Sequence, residues 1–299
     1  MEKLHSNNKR EMVSIIIVDY NGYEDTVECI ESLKKCVYDN YNIIVVINGN
    51  SKDKLKNYID HINGTDYVET ENYGFADACN KGIQYAKNKY NSSLYLLLNN
   101  DTVVTPNFLQ HLVDEYKKNF GIITGKILYY FDKKTVWYAG GTYNITNGIS
   151  EHIGLNTIDK ESYSKNKKIS FVTGCLMLIP WEIIKTVGYL DESYFMYSED
   201  ADYSIRAMKA GYDLFYCGEA EIYHKVSQSS NNNSKFQNYY MMRNYLVLVK
   251  KYVRYKIWAC ILFGIRCTKD IIKRRVDFIT VVKAWKDALF VTNYKRNNI

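Results

Sequence analysis

The chain has 299 residues, 46% of them hydrophobic and 24% charged, enough to bury one large core or a core plus an appendage, and too apolar for a disordered polypeptide. Seven cysteines, odd in number and with no C-x-x-C pair, argue against a disulfide framework or a zinc site and read as reduced packing residues of a cytosolic protein. The net charge of +6 is unevenly spread: from Lys235 onward fifteen Lys/Arg face three Asp, a net of +12, while the preceding residues sum to −6.

In chain order, MEKLHSNNKREM lacks the apolar stretch of a secretory leader. Residues 13–20, VSIIIVDY, read as a strand buried on both faces that ends in Asp19-Tyr20-Asn21-Gly22, followed by a helix with Val27, Ile30, Leu33 and Val37 on one stripe. YNIIVVI (41–47) is a second such strand ending in NGNSKD, followed by a helix carrying Leu55, Ile59 and Ile62. A short strand at Thr65–Thr70, a helix opened by NYGFADACNKG and the strand SLYLLL complete a β-α-β-α-β-α-β alternation, which predicts a parallel, right-handed wound sheet. Thr105-Pro106 reads as an N-cap and first-turn proline of a further helix.

The alternation then breaks. GIITGKILYYF, TVWYAGGTYNI and KISFVTGCLMLIP are strands with Gly and Asn interruptions, so a mixed second half is expected. Trp181–Val187 reads as a helix stopped by Gly188, Glu199–Ala210 as another stopped by Gly211, and DLFYC and EIYHK as the last strands. The asparagine-rich Ser229–Ser234 is the expected linker between a main α/β domain, 1–230, and a basic, aromatic-rich helical extension, 231–299.

Four loops follow successive parallel strands and should converge on one edge of the sheet, where open α/β folds bind ligands. They carry Tyr20-Asn21, Asn48-Gly49-Asn50, Asn72-Tyr73-Gly74 and Asn99-Asn100-Asp101. Amides and hydroxyls suit a base, a ribose and a sugar, and Asp101 can either hold a divalent metal or simply cap backbone amides in its loop. No G-x-G-x-x-G follows the first strand and no G-x-x-x-x-G-K-[ST] occurs, which disfavours dinucleotide and P-loop readings. In GYLDESYFMYSEDADYSIR, Ser198 can cap a helix whose first turn holds Glu199, Asp200 and Asp202. Those acids serve either the helix dipole or catalysis, and Asp202 with Arg206 fits an i, i+4 ion pair.

VSIIIVDYNGY, NGNSKD, NYGFADACNKG, LLLNNDT, TGCLMLI, VGYLDESYFMYSEDADYSIR and IYHKVSQSS occur in family order, and over about residues 12–245 the chain resembles a family 2 glycosyltransferase of GT-A fold. Within that family it is most similar to bacterial rhamnosyltransferase-type enzymes of surface polysaccharide assembly. The resemblance implies an α/β fold, a Rossmann-like nucleotide half joined to a mixed-sheet acceptor half, with C-terminal helices. It implies a nucleotide-diphosphate sugar donor, Mg²⁺ or Mn²⁺, and an inverting transfer of one sugar to a glycan acceptor. On the donor side it assigns Val18, Tyr20, Asn48, Asn72, Gly74, Asn80, Asn99, Asn100 and Arg243. Asp101 and His224 fall at the metal, Asp200 at the catalytic base with Glu199 as the second choice, and Gly174, Cys175, Met177, Tyr194 and Tyr197 on the acceptor side. Asn48 and Asn99 stand where the family usually has aspartates, which raises a UDP-sugar-dependent transferase and a non-catalytic sugar-nucleotide-binding or membrane scaffold as alternatives. Arg243 is not followed by tryptophan, and the lack of a Q-x-x-R-W motif argues against a processive synthase.

In the tail, Trp258, Ile261, Leu262 and Ile265 share a helical stripe flanked by Lys250, Lys251, Arg254, Lys256 and Arg266. The stripe suits either an anionic membrane surface, where a lipid-linked acceptor resides, or packing on the catalytic domain. The longest apolar run there, Ile257–Ile265, is too short to span a bilayer, so a cytoplasmic protein, peripheral on the inner face of the plasma membrane, is expected. Aromatics interleaved with cations occur on nucleic-acid surfaces too, but no recognised module surrounds them, and no nucleic-acid partner is expected.

Overall fold

The computed structural model describes residues 10–49, 62, 64–226 and 234–290. The expected helix around Leu55 and Ile59 and the linker segment 229–233 lie outside the described residues; Ile62 is buried.

The first half follows the alternation. Strand β1 (Val13–Asp19) leads to helix α1 (Tyr23–Leu33), β2 (Tyr41–Asn48), β3 (Asp66–Thr70), α2 (Phe75–Tyr90) and β4 (Leu94–Asn99). β1 lies between β2 and β4, parallel to both, and β3 adds in parallel beyond β2. Every residue of β1 is buried, as expected for a strand covered on both faces. β5 (Thr102–Val104) precedes α3 (Phe108–Lys118). Asn107, not Thr105, sits at the cap position of α3; the Thr105 hydroxyl instead donates to the Glu221 carbonyl at 2.7 Å.

The second half is mixed. β6 (Gly121–Tyr129) is followed by β7 (Thr135–Tyr138), β8 (Gly141–Asn144), β9 (Ile149–His152), β10 (Thr157–Ile158), β11 (Lys167–Ile169) and β12 (Leu176–Pro180), then α4 (Trp181–Val187) and α5 (Glu199–Lys209). β12 is inserted between β4 and β6, antiparallel to both, which welds the two halves into one sheet. The last strand, β13 (Asp213–His224), is continuous where two strands were expected. Its pairing with β6 shifts register between Cys217 and Glu221, which is where the sequence pattern breaks.

Helices α6 (Ser234–Tyr252), α7 (Lys256–Ile272) and α8 (Phe278–Phe290) end the described chain. Their inner faces, including Leu246, Phe263, Cys267, Val281 and Ala284, belong to the same hydrophobic cluster as β1 and β4. Their outer faces remain apolar: Ile257 is 80% exposed and Trp258 56%, with Ile261, Leu262 and Ile265 beside them. Among the described residues no helix is long and apolar enough to cross a membrane. All seven cysteines are free.

Candidate active site

The described residues at the C-terminal ends of β1, β2, β3 and β4 meet along one wall, held by side chains from neighbouring loops; Asn50 lies outside the described residues. Asp19, buried at the end of β1, accepts from the Gly22 N–H at 2.8 Å. The Asn100 amide reaches across to the Thr26 hydroxyl at 3.0 Å and the Gly22 carbonyl at 3.3 Å, so the fourth loop is locked to the first. A Cβ on Gly22 would displace the Asn100 amide from these bonds. Asn72 Oδ1 accepts from Asn48 Nδ2 at 3.2 Å and from the Gly74 N–H at 3.1 Å. Asn48 Oδ1 is buried without a hydrogen-bond partner, an acceptor on the cleft wall. Gly74, at φ +105°, has no room for a Cβ against the Phe195 carbonyl, which accepts from the Phe75 N–H at 2.6 Å. That contact joins the first-half loops to the segment leading into α5.

Asp101 follows β4, and His224 ends β13, which pairs with β5 so that His224 lies opposite Thr102. Nε2 of His224 stands 3.0 Å from Asp101 Oδ1, and both side chains are more than nine-tenths buried. Burial opposes charge on His224, but the neighbouring Cys175 and Asp101 outweigh it and push its pKa up to about 10. Among the described residues no group of three or more His, Cys, Asp or Glu could hold a metal by itself. Once the proton between them is released, this carboxylate and imidazole fit a hard divalent cation that takes its remaining ligands from phosphate and water, so metal binding there would displace a proton. Trp137 packs edge-on against His224 with centroids 4.7 Å apart.

The acidic pair opens α5. Asp200 Oδ2 accepts from the Gly174 N–H at 2.9 Å and Oδ1 from the Ala201 N–H at 2.8 Å. Burial pushes its pKa up, and these donors hold it partly down. Glu199 is more deeply buried, its Oε2 has no hydrogen-bond partner, and burial together with the Asp200 charge pushes its pKa up to about 8. The environment therefore separates the two acids: Glu199 holds its proton to the higher pH, while the two backbone donors on Asp200 favour its charged form. Ser198 precedes α5 but makes no side-chain cap; with φ +71° it follows Tyr197 at φ +68° in the left-handed region.

One cleft of about 2030 Å³ is lined by Tyr20, Asn48, Asn72, Asn99, Asp101 and His224, and also by Gly174, Cys175, Tyr197, Glu199 and Asp200. Val18, Gly74 and Asn100 also face it. Four expected site residues do not line it. Asn80 is buried, its amide clasping the Leu190 backbone in both directions at 2.9 and 3.0 Å. Met177 lies in the core among Ile16, Tyr95 and Ile179. The Tyr194 hydroxyl points to Asp202 at 3.1 Å, and the fully buried Arg243 donates to the Ser193 carbonyl. Sequence spacing locates such residues near the site without telling which side of their element faces it. Residues not anticipated as site residues are Asp19, Trp137, His152, Phe171 and Phe195, the last four of which line the cleft. Asp19 was signalled by a charge ending an apolar strand; the aromatics had no local signal.

A mixed sheet that gathers amides, a carboxylate–imidazole pair and an acidic helix start around one cleft is the GT-A type of α/β fold. The GalNAc-T7 crystal structure with UDP, GalNAc and Mn²⁺ shares it at a TM-score of 0.60 and 17% identity, covering 82% of this chain and 49% of that one, a likeness of fold alone. The family model for glycosyl transferase family 2 matches residues 14–188, more than half of the chain, and the chain belongs to that family: it is a glycosyltransferase. It is 28% identical to rhamnosyltransferase WbbL of Escherichia coli (strain K12) over 75% of this chain and 86% of that protein. It is 22% identical to the low-salt glycan biosynthesis hexosyltransferase Agl10 of Haloferax volcanii over 89% and 87%.

Proposed function

We propose that the protein is an inverting, divalent-metal-dependent transferase that moves one sugar, L-rhamnose from dTDP-rhamnose, onto a hydroxyl of a surface-glycan precursor. The observation that carries this reading is that Asp101 with His224 and Asp200 line the same cleft. Tyr20, Asn48 and Asn72 bind the nucleotide end of the donor. Asp101 and His224 hold Mg²⁺ or Mn²⁺, which when bound neutralises charge growing on the leaving diphosphate. The acceptor oxygen attacks C1 from the face opposite the diphosphate, the C1–O bond to the diphosphate breaks, and the hydroxyl proton passes to Asp200. Backbone donors on both Asp200 oxygens fix the carboxylate for that transfer. The sugar rests on the likeness to a rhamnosyltransferase, and the lipid-linked acceptor on the exposed apolar, cationic tail.

The test is incubation of the pure protein with dTDP-rhamnose and common UDP-sugars in Mn²⁺. Turnover of dTDP-rhamnose, a fall of at least about 100-fold in Asp200→Asn and loss on chelation are expected. Turnover of a UDP-sugar alone would reassign the donor. Binding without turnover, unchanged in Asp200→Asn, would leave a scaffold.

A further inference from the structure

We propose that Asn244, on the C-terminal helix α6, is a positioning residue that holds the catalytic carboxylate in register; this rests on the reading of Asp200 as base. The segment before Asp200 is held in an unfavourable shape. Phe195, Tyr197 and Ser198 have φ of +60°, +68° and +71°, where non-glycine residues persist only when the surroundings impose it. Ordinary capping does not impose it, since the Ser198 side chain makes no cap bond. The constraint comes from fifty residues away. Nδ2 of Asn244 lies 3.0 Å from the Tyr194 carbonyl and 2.7 Å from those of Met196 and Tyr197, so one buried amide gathers three carbonyls of the strained turn.

Neighbours on α6 extend the grip. Arg243 donates to the Ser193 carbonyl, and the Tyr240 ring stacks on Phe195 at 5.0 Å with planes 20° apart. On the far side the Phe195 carbonyl accepts from the Phe75 N–H, next to the donor-side loop. The turn is thus clamped between α6 and the first half of the fold, and Asp200 begins two residues beyond it. Asn244 does not line the cleft, so its influence on chemistry passes through that turn. The Asn244 Oδ1 is buried without a partner, so the contacts this side chain makes with the turn run through its Nδ2 donors.

The experiment compares wild type, Asn244→Ala, Asn244→Ser, which keeps one donor, and Asp200→Asn. Release of nucleoside diphosphate is followed with the best donor of the panel above, and affinity for dTDP or UDP with Mn²⁺ by thermal shift. A displacement of about 1 Å of a catalytic group costs about 100-fold, so kcat of Asn244→Ala should fall by about that factor, with Asn244→Ser between it and wild type. Nucleotide affinity should fall far less than kcat, because the turn meets the donor side through Phe75, while Tyr20, Asn48 and Asp101 lie on other loops. The acid limb of the pH profile should move toward the ordinary carboxylate range as Asp200 becomes wetter. Wild-type kcat in Asn244→Ala overturns the inference, as does an equal loss of kcat and nucleotide affinity, or failure of both variants to fold, which would mark a structural role only. If Asp200→Asn is itself fully active, the base assignment fails and takes the inference with it. If Asp200→Asn is inactive and Asn244→Ala is not, the inference alone fails.

Discussion

The adjacent acids at 199 and 200 show how environment divides chemically similar groups. Both are pushed toward the protonated form by burial, but only Asp200 has a backbone donor on each oxygen. A base must be deprotonated to act, so kcat/KM should rise with pH through the raised Asp200 pKa, giving an acid limb above the ordinary carboxylate range. Glu199, with a pKa near 8, is already neutral at pH 7, and Glu199→Gln copies that state. Activity of Glu199→Gln at pH 7 is therefore expected within about tenfold of wild type, whereas Asp200→Asn loses about 100-fold or more. Equal losses in both would transfer the role of base to Glu199. The same shift has a stability consequence. A carboxylate whose folded pKa is raised stabilises the fold fully below its unfolded pKa, and that contribution disappears as pH rises through about 8. Melting temperature should accordingly fall less steeply between about pH 5 and 9 in Glu199→Gln than in wild type.

Between elements, Asp202 does what its sequence neighbourhood only half suggested. Spacing predicted the ion pair with Arg206, and Nε–Oδ2 is 2.6 Å. The fully buried carboxylate also accepts from the Tyr252 hydroxyl at 2.6 Å and the Tyr194 hydroxyl at 3.1 Å, and lies 3.3 Å from Lys251 Nζ. It ties α5 to α6. Removing one partner from such a buried network leaves the others uncompensated, so Asp202→Ala should lose about 3 kcal/mol in urea unfolding. A loss under about 1 kcal/mol would mean that the helices are joined by apolar packing alone. This hub also marks where sequence reading stops. Buried strands ending in amides and acids were legible because both signals are local, and they located Asp101 and the loop amides. Asn244 and its carbonyls are separated by 47 to 50 residues, and nothing in QNYYMMRN announces which side chain turns toward 194–197. Arg243 was expected at the donor for want of that information, and Tyr194 and Met177 were expected at the acceptor although their side chains turn into the interior. Ser198 has the right residue type for a cap but sits in a left-handed conformation that denies it the geometry.

Over the whole molecule, the distribution of charge and apolar surface has one pole. The tail from Lys235 carries a net +12, and its helices α7 and α8 bury one face while leaving Ile257, Trp258, Ile261, Phe278 and Ile279 exposed on the other. An apolar helix face beside lysines and arginines matches the interface of an anionic bilayer, where buried apolar side chains and about 1 kcal/mol per nearby cation add together. The active-site cleft extends to this pole: Phe263, Arg266 and Arg275 line it along with Asp200. A lipid-linked acceptor held in the bilayer would then reach the base without leaving the membrane. Full-length protein should float with phosphatidylglycerol vesicles at low salt and not with phosphatidylcholine vesicles, and the double variant Trp258→Glu/Ile261→Glu should lose at least about tenfold in binding. Donor hydrolysis in solution should be unchanged in that variant, since neither residue lines the cleft. Raising salt to about 0.5 M should weaken attachment, because screening removes the electrostatic part and leaves the apolar one. If the double variant floats as wild type does, or if it converts a dimer to a monomer without affecting flotation, the exposed face belongs to a second copy of the chain rather than to the bilayer.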